Sequence, residues 1–296
     1  MTAAAAVEAR QAADASAQSE IRVRKPQFDL SSDIPHYWYA GQPFATHYLN
    51  ALSSVFPDGE AFFVRSVWHY RDRVDDPRLR ERIGAFAAQE GQHSHQHRSH
   101  VDLLLAQGYR LIGVRNRIIG HVLRWQNRHL PRFSLAITAA LEHLTALLAR
   151  QLLSRPEFWT EPMDPRMAPL WRWHALEEAE HKSVAFDVLM LVAPQRWLRM
   201  ATMLFATFGL LMDSMLRTTY MLWVDGRLWD RKVWSDGLHW LLGRGGLFRG
   251  LEGDYVRWFR RGFHPDDVDD SRLIAAERAF YESNSVGGEI SAAGPA

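Results

Sequence analysis

Apolar and polar residues alternate along much of the chain with the 3.6-residue period of an α-helix. The clearest run is 134–154, where Leu141, Leu144 and Leu148 follow each other at helical spacing. Gly, Pro and Asp residues between such runs predict where helices begin and end. The predicted helices cover residues 43–55, 60–73, 77–107, 109–131, 134–154, 170–192 and 197–224. This pattern predicts an all-α fold, a bundle of four core helices with crossover connections.

Two interruptions define the connections between the predicted helices. Pro57 and Gly59 both disfavour a continuing helix, so we expect one helix to end near Val55. Glu60 then lies in the first turn of the next helix. The stretch 156–169 contains four prolines and predicts a loop.

The chain divides into four regions by composition. Residues 1–25 are small and polar and predict a disordered N-terminal tail. Residues 26–194 contain the predicted bundle, and residues 195–286 predict a helical extension packed on it. Residues 287–296 are rich in Gly and Ala and predict a disordered C-terminal tail.

The run 197–224 is apolar enough to raise the question of a membrane span. A span needs about 20 consecutive apolar residues, but Asp213 and Arg217 fall in the middle of this run. Charges at membrane depth are costly. We therefore expect a buried fifth helix, with a membrane-surface or acyl-binding element and a true span as alternatives.

Composition narrows the function classes. The formal net charge of +1 gives no electrostatic reason to expect a nucleic-acid partner. The absence of cysteine excludes disulfides, thiolate metal sites and cysteine nucleophiles. Residues 1–20 lack the apolar core of a signal peptide, so we expect a cytoplasmic protein.

Two Glu-x-x-His motifs carry the candidate chemistry. One comprises Glu90 and His93, and the other Glu178 and His181. Residues three apart lie on one face of a helix, so each motif presents a carboxylate and an imidazole together. Imidazole and carboxylate are ligands suited to iron and manganese.

Further glutamates and a histidine complete the predicted ligand set. Glu60 and Glu142 lie on the preceding helical runs, and His174 comes one turn before Glu178. His174 would make the two metal positions unequal; the alternative is a core histidine that supports a ligand. A glutamate followed by Glu-x-x-His, occurring twice, is the ligand pattern of ferritin-like di-iron and di-manganese proteins. The predicted ligands are Glu60, Glu90, His93, Glu142, His174, Glu178 and His181.

These ligands predict a ferritin-like four-helix bundle with additional C-terminal helices. Glu90 and Glu178 would bridge two iron ions, while Glu60 and Glu142 would be terminal ligands. Manganese or a mixed manganese–iron pair are the alternatives, because such ligands discriminate poorly among these metals.

The other histidines and glutamates near the motifs are expected to play lesser roles. His97, one turn beyond His93, is expected beside the site or facing solvent rather than as a ligand. Glu177 is an alternative to Glu178, because it lies four residues before His181. Surface positions are expected for His95, His100, His143, Glu177 and Glu180.

At these motifs the sequence resembles the bacterial family described as predicted metal-dependent hydrolases. The resemblance covers about residues 22–270 and implies a metal-dependent enzyme. The matching stretches are Asp33-Ile-Pro-His-Tyr-Trp38, Phe56-Pro-Asp-Gly-Glu60, Gln89-Glu-Gly-Gln-His93 with His97, Glu177-Glu-Ala-Glu-His-Lys182 followed by Ala185-Phe-Asp187, and Phe263-His-Pro265. The spacing of the seven ligands is also similar to that of the di-iron arylamine N-oxygenases, which implies a dioxygen-activating di-iron centre.

From the motifs and these resemblances we predict an oxygenase or oxidase that acts on a hydrophobic organic substrate and takes electrons from an external donor. The first alternative is a two-metal hydrolase, as the family description states, in which a metal-activated water attacks the substrate. The second is metal storage or a metal-stabilised scaffold. A homodimer is the expected oligomeric state. For the location, peripheral contact with a membrane is the alternative to a purely cytoplasmic protein. Beyond the metal centre, the sequence predicts no catalytic residue.

Overall fold

The computed structural model describes residues 21–31, 33–159, 163–286 and 289–290. These residues confirm the all-α prediction. The α-helices of the described residues, in chain order, are α1 (Pro43–Trp68), α2 (Pro77–Ala106), α3 (Arg110–His129), α4 (Pro131–Leu153), α5 (Ala168–His181), α6 (Val184–Val192), α7 (Arg196–Val224), α8 (Arg231–Leu242), α9 (Glu252–Arg257) and α10 (Ser271–Asn284). Short 3-10 helices lie at Arg71–Arg73, Pro156–Phe158 and Pro265–Asp267, and the strands Ser285–Val286 (β1) and Glu289–Ile290 (β2) pair antiparallel.

Four helices enclose the interior that holds the candidate site. Helix α1 packs along α2 and α4 along α5, while α1 also contacts α4 and α2 contacts α5. Helix α7 covers α1 and α4 from outside. The domain boundaries and the ferritin-like arrangement stay predictions.

Helix α1 is continuous, whereas the sequence predicts a break at Pro57. Pro57 lies inside Pro43–Trp68. A proline within a helix removes one hydrogen-bond donor and crowds the preceding turn. In that turn the carbonyl of Ser54 accepts a hydrogen bond from Asn116 Nδ2 at 2.9 Å, which supplies a tertiary partner. Glu60 therefore lies in the second half of a long helix and is buried.

The predicted helix 170–192 is divided in two. Helix α5 ends at His181 and α6 begins at Val184. At the break, the Lys182 ammonium donates to the carbonyl of Val268 and to Asp270 Oδ2, both at 2.7 Å. This buried contact ties the bundle to the segment that precedes α10.

Helix α7 has one buried and one exposed apolar face. Met203 is fully buried, whereas Phe208 is 65% exposed. Asp213, in the middle of the helix, accepts hydrogen bonds from Arg217 Nε at 2.5 Å and Arg115 Nε at 2.6 Å. The prediction of a buried helix is therefore right for one face and wrong for the opposite face.

Helix α4 is the one helix in the described part of the chain whose length and composition could cross a membrane. Of the 18 residues that form its most apolar stretch, 72% are buried inside the protein. Leu135 and Ala140, for example, are both fully buried. Such burial is what a core helix requires.

The N-terminal segment just before the bundle is packed rather than free. Arg24 donates to Glu180 Oε1 at 2.8 Å and to Glu177 Oε1 at 3.2 Å. The prediction of a disordered tail is therefore wrong for residues 21–25. Residues 1–20, the rest of that predicted tail, lie outside the described residues.

The predicted C-terminal tail is described only in part. Within it, β2 pairs with β1, Val286 opposite Glu289, so a short ladder stands where the sequence predicts disorder. Residues 287–288 and 291–296 lie outside the described residues.

Close packing of α8 on α1 depends on Gly237. A Cβ at this position would lie 2.1 Å from Cγ of Phe44, whose ring is itself buried. Overpacking of this kind costs about 1–3 kcal/mol, so we expect Gly237→Ala to lower the free energy of unfolding by this amount in chemical denaturation. The matched control is Gly209→Ala on α7, where nothing lies within 4 Å.

Gly209→Ala is expected to raise stability by about 0.5–1 kcal/mol, because alanine is the better helix former. Equal stability of Gly237→Ala and the wild type would show that α8 does not pack on α1 in this way.

Candidate metal centre

Four helices bring the seven predicted ligands into one buried network. Helix α1 supplies one residue, α2 two, α4 one and α5 three. Each residue is at most 5% exposed. The residues are Glu60 from α1, Glu90 and His93 from α2, Glu142 from α4, and His174, Glu178 and His181 from α5.

The network divides into two groups of donor atoms. Within each group, one ligand atom per residue lies within 4.8 Å of the others. The first group is Glu90, His93, Glu178 and His181, and the second is Glu60, His97 and His174. Each group has the mixed carboxylate and imidazole donors that suit iron, manganese or zinc.

Glu178 joins the two groups. Its Oε1 lies 3.1 Å from His174 Nε2 and 4.0 Å from His181 Nε2. Its other oxygen accepts a hydrogen bond from Thr145 Oγ1 at 2.5 Å, which fixes the orientation of the carboxylate. The bridging role of Glu178 stays a prediction.

Glu142 lies at the edge of the first group. Its Oε2 is 3.0 Å from His181 Nδ1, and His181 Nε2 is 3.2 Å from Glu90 Oε1. Both nitrogens of His181 therefore face predicted ligands. Glu142 does not belong to either compact group, although it touches one member.

Several buried polar atoms of the site lack a hydrogen-bond partner within the described part of the chain. They include both carboxylate oxygens of Glu60 and of Glu90, Oε1 of Glu142, both ring nitrogens of His93, and Nε2 of His174 and of His181. An unpaired buried polar group is costly. Metal ions would supply the missing partners, so the residues present fit a pair of divalent cations.

The clustering of carboxylates shows in their pKa values. Burial and the charge of Glu142 raise the pKa of Glu90 to about 7. Burial raises the pKa of Glu60 well above its usual value, with Glu90 adding to the effect, and the pKa of Glu142 rises likewise through burial and Glu178. Like charges gathered without counter-charge disfavour ionisation. Bound cations would remove this penalty.

The imidazoles differ in their charge states. Burial, with repulsion from His93, lowers the pKa of His174 to about 4, so this ring is neutral at pH 7. Burial likewise holds the pKa of His97 well below its usual value. A metal ligand must be a neutral imidazole, so both rings of the second group have the charge state that metal binding requires. Glu178 has a pKa of about 2 despite its burial, because His181 and His174 stabilise its charge.

Glu177 supports the site from behind His93. Its Oε2 is 3.1 Å from His93 Nε2, and its Oε1 accepts from Arg24. Nδ1 of His93 is then left to face Glu90 and Glu178, each at 3.8 Å. A carboxylate behind a ligating histidine sets its tautomer and orientation.

The predicted surface positions of Glu177 and Glu180 are wrong, since both are buried. Glu180 is paired with Arg24 at 2.8 Å and with Arg278 at 2.7 Å. These arginines come from the N-terminal segment and from α10, far away in sequence. Helical phase places the glutamates off the ligand face, but it does not reveal that distant segments cover them.

His97 lies beside the site, which is one of its two predicted positions, whereas the solvent-facing alternative is wrong. It is fully buried, and its Nε2 lies 2.8 Å from His174 Nδ1. Ser53 Oγ lies 2.7 Å from Nδ1 of His97 and 2.6 Å from Nδ1 of His100. The sequence feature that could have predicted this buried position is the spacing of four residues between His93 and His97, which places both rings on one face of α2.

The predicted surface positions of His100 and His143 are also wrong, whereas His95 is exposed as predicted. His100 lies seven residues after His93, which is two helical turns and thus the same inward face. His143 is covered by the C-terminal extension, with its ring centroid 4.9 Å from that of Trp258.

Two apolar spaces lie next to each other beside the centre. A narrow space of about 30 Å³ is bordered by His174, Glu178 and Thr145 on one side. It shares Leu52 and Leu148 with a larger apolar cavity of about 360 Å³. These two leucines therefore separate the larger cavity from the metal centre.

The chain matches the family described as predicted metal-dependent hydrolase over residues 22–269. This match covers most of the 296 residues, so the chain belongs to that family. No curated protein and no solved structure matches the chain.

The family and the two buried donor groups together support a metal-dependent enzyme. They favour the hydrolase alternative over the oxygenase prediction. The identity of the metal and the likeness to di-iron oxygenases stay predictions.

Proposed function

We propose that the protein is a metal-dependent hydrolase that holds two divalent cations and cleaves an ester or amide carrying an apolar chain. The observation that carries this proposal is the pair of buried donor groups joined by Glu178, which borders a narrow apolar space next to the larger cavity. The description of the family supports the reaction class. Divalent cations in such a site supply Lewis-acid polarisation and acidify water.

The side chains of the site have separate tasks in this proposal. The first group with Glu142 would hold one cation, the second group would hold the other, and Glu178 would contact both. Thr145 holds the Glu178 carboxylate in place by its hydrogen bond. Glu177 Oε2 lies 3.1 Å from His93 Nε2 and would orient this ring so that Nδ1 faces the site.

The cavity supports an apolar chain on the substrate. Its wall comprises leucines from α1, α4 and α7 together with Phe248. Apolar walls with few polar groups bind ligands through burial of hydrocarbon surface. The reacting bond would lie beside Thr145 and Glu178, with the chain extending past Leu52 and Leu148.

A second candidate function is oxidation of a hydrophobic substrate by dioxygen at a di-iron centre with an external electron donor. The enclosure of the donor rings by aromatic groups favours it. Phe56 stacks on His174 with centroids 4.6 Å apart, and Trp173 lies 4.7 Å from His93. Aromatic walls exclude water, which protects reactive intermediates.

A chain-length series separates the two candidates. The full protein is loaded with Zn²⁺, Mn²⁺ or Fe²⁺ and assayed anaerobically on p-nitrophenyl esters of increasing acyl length. Hydrolysis without oxygen, with kcat/KM rising as the chain lengthens, is expected. The Fe²⁺-loaded protein is then assayed in air with an external electron donor. Oxygen consumption with an oxygenated product, and no hydrolysis in either assay, would favour the second candidate and overturn the first.

A cavity variant tests the substrate class with the metal centre intact. Leu148→Trp is expected to lower kcat/KM for long-chain esters at least about tenfold, since loss of buried methylenes costs about 0.8 kcal/mol each, while metal content is unchanged. Leu238→Trp is the matched control, because Leu238 is exposed and borders neither cavity. Equal losses for short and long chains would exclude the cavity as the binding site.

A further inference from the structure

Helix α3 carries an exposed apolar stripe. Its members recur at spacings of three and four residues and are each 48–60% exposed. They are Leu111, Val114, Ile118, Val122 and Trp125. Residues at this spacing form one face of a helix, and the opposite face, with Ile112, is buried against the bundle. The stripe therefore points away from the protein.

Helix α7 carries a second exposed apolar stripe. Its members are each 42–65% exposed. They are Leu204, Phe205, Phe208, Leu211, Met212 and Leu216. Single exposed apolar residues are common, but a contiguous patch marks an interaction site.

The two stripes lie side by side on antiparallel helices. At one end the backbone N–H of Leu111 donates to Tyr220 Oη at 3.1 Å. Further along, Arg115 Nε donates to Asp213 at 2.6 Å. The paired positions run in opposite directions along the two helices, so the two stripes lie on neighbouring antiparallel helices. We call these eleven side chains the α3–α7 surface.

A row of basic residues borders the α3–α7 surface. It comprises Arg110, Arg117, His121, Arg124 and Arg128, all exposed on α3. Helix α3 contains no Asp or Glu, and neither Arg117 nor Arg128 has a salt-bridge partner within the described part of the chain. The row and the apolar stripe occupy neighbouring sectors of the same helix.

We propose that the α3–α7 surface binds the anionic face of a phospholipid bilayer. A helix with an apolar face beside a Lys/Arg-rich face lies in the bilayer interface. Trp125 is the residue type that favours the headgroup level, and anionic lipids attract the basic row. The basic row favours a bilayer over a second copy of the chain as the partner. A symmetric dimer would bring two such basic rows to one interface without acidic partners.

The surface also meets the apolar cavity. Leu211 belongs to the α3–α7 surface and borders the cavity of about 360 Å³. Bilayer contact would therefore bring the cavity wall next to lipid. This consequence rests on the proposed function, whereas the binding itself does not.

Vesicle co-sedimentation of the full protein tests the proposal. Vesicles of phosphatidylcholine alone are compared with vesicles that also contain phosphatidylglycerol. We expect binding to the mixed vesicles, weaker binding to phosphatidylcholine alone, and release at high salt. Ile118→Glu/Trp125→Glu is expected to weaken binding at least about tenfold, and Leu191→Glu on α6, where Leu191 is 53% exposed, is the matched control without effect.

A second variant keeps the test decisive if the first variant folds poorly. Arg117→Gln/Arg128→Gln removes two charges and is expected to weaken binding to the mixed vesicles roughly 30-fold, at about 1 kcal/mol per basic residue. Absence of wild-type binding, or equal binding by both variants and the wild type, would overturn the proposal. A wild-type dimer that Ile118→Glu/Trp125→Glu dissociates, without vesicle binding, would assign the surface to a second copy.

Discussion

Replacing Glu178 with alanine is expected to abolish binding of both metal ions while the helices stay folded. Among the described residues, Glu178 is the only carboxylate paired with histidines of both donor groups, at 3.1 Å from His174 and 4.0 Å from His181. Its removal leaves each group short of one anionic ligand. Metal analysis of the reconstituted variant should give no tightly bound ion, and circular dichroism should retain the helical signal.

The matched control for this change is Glu81→Ala. Glu81 is an exposed glutamate on α2, the helix that carries Glu90 and His93. Its replacement should leave the metal content at the wild-type value. Retention of two ions by Glu178→Ala would show that Glu178 is not the shared ligand.

Replacing Asp270 with alanine is expected to destabilise the protein strongly without emptying the metal centre. Asp270 Oδ2 accepts from the Lys182 ammonium at 2.7 Å, and both side chains are nearly buried. Removing one partner of a buried ion pair leaves an uncompensated charge and costs about 3–5 kcal/mol. For a chain of this size the midpoint of thermal unfolding should fall by on the order of 10 °C.

An exposed ion pair provides the control. Asp236 pairs with Lys232 on the surface of α8, where the two side chains are 52% and 82% exposed. Exposed pairs contribute about 0.2–1 kcal/mol, so Asp236→Ala should change the midpoint little. Similar midpoints for the two variants would show that the segment before α10 does not lie against Lys182.

The sequence predicts the candidate ligands because helical spacing alone decides which side chains share a face. Glu90 with His93 and Glu178 with His181 are two such pairs, and the structure places them in one donor group. The same rule, applied over two turns, would have included His97 and His100. The predictions for these two histidines did not use this rule. Spacings of four and seven residues, like a spacing of three, place side chains on one face of a helix.

The remaining errors concern contacts between distant segments. No local pattern shows that Arg24 reaches Glu177 and Glu180, because 153 and 156 residues separate them. Pro57 likewise looks like a helix end in isolation, but tertiary packing overrides local propensity at that position. The exposed face of α7 could not be distinguished from a buried one, since apolar residues surround most of that helix.

The family and the geometry constrain the function to different degrees. Membership in the metal-dependent hydrolase family favours hydrolysis over the oxygen chemistry that the ligand spacing predicts. The geometry supports two cations regardless of which reaction follows, since orphaned buried carboxylates and imidazoles need partners in either case. Both candidate functions therefore require that this site binds two metal ions.

An equilibrium metal titration of the full wild-type protein, with bound metal measured by elemental analysis, tests this claim most directly. We expect two divalent ions per chain and a higher midpoint of thermal unfolding when both are bound, because ligands that bind only the folded state stabilise it. If the protein binds no divalent ion and unfolds at the same temperature with and without added metal, the proposed metal centre is wrong.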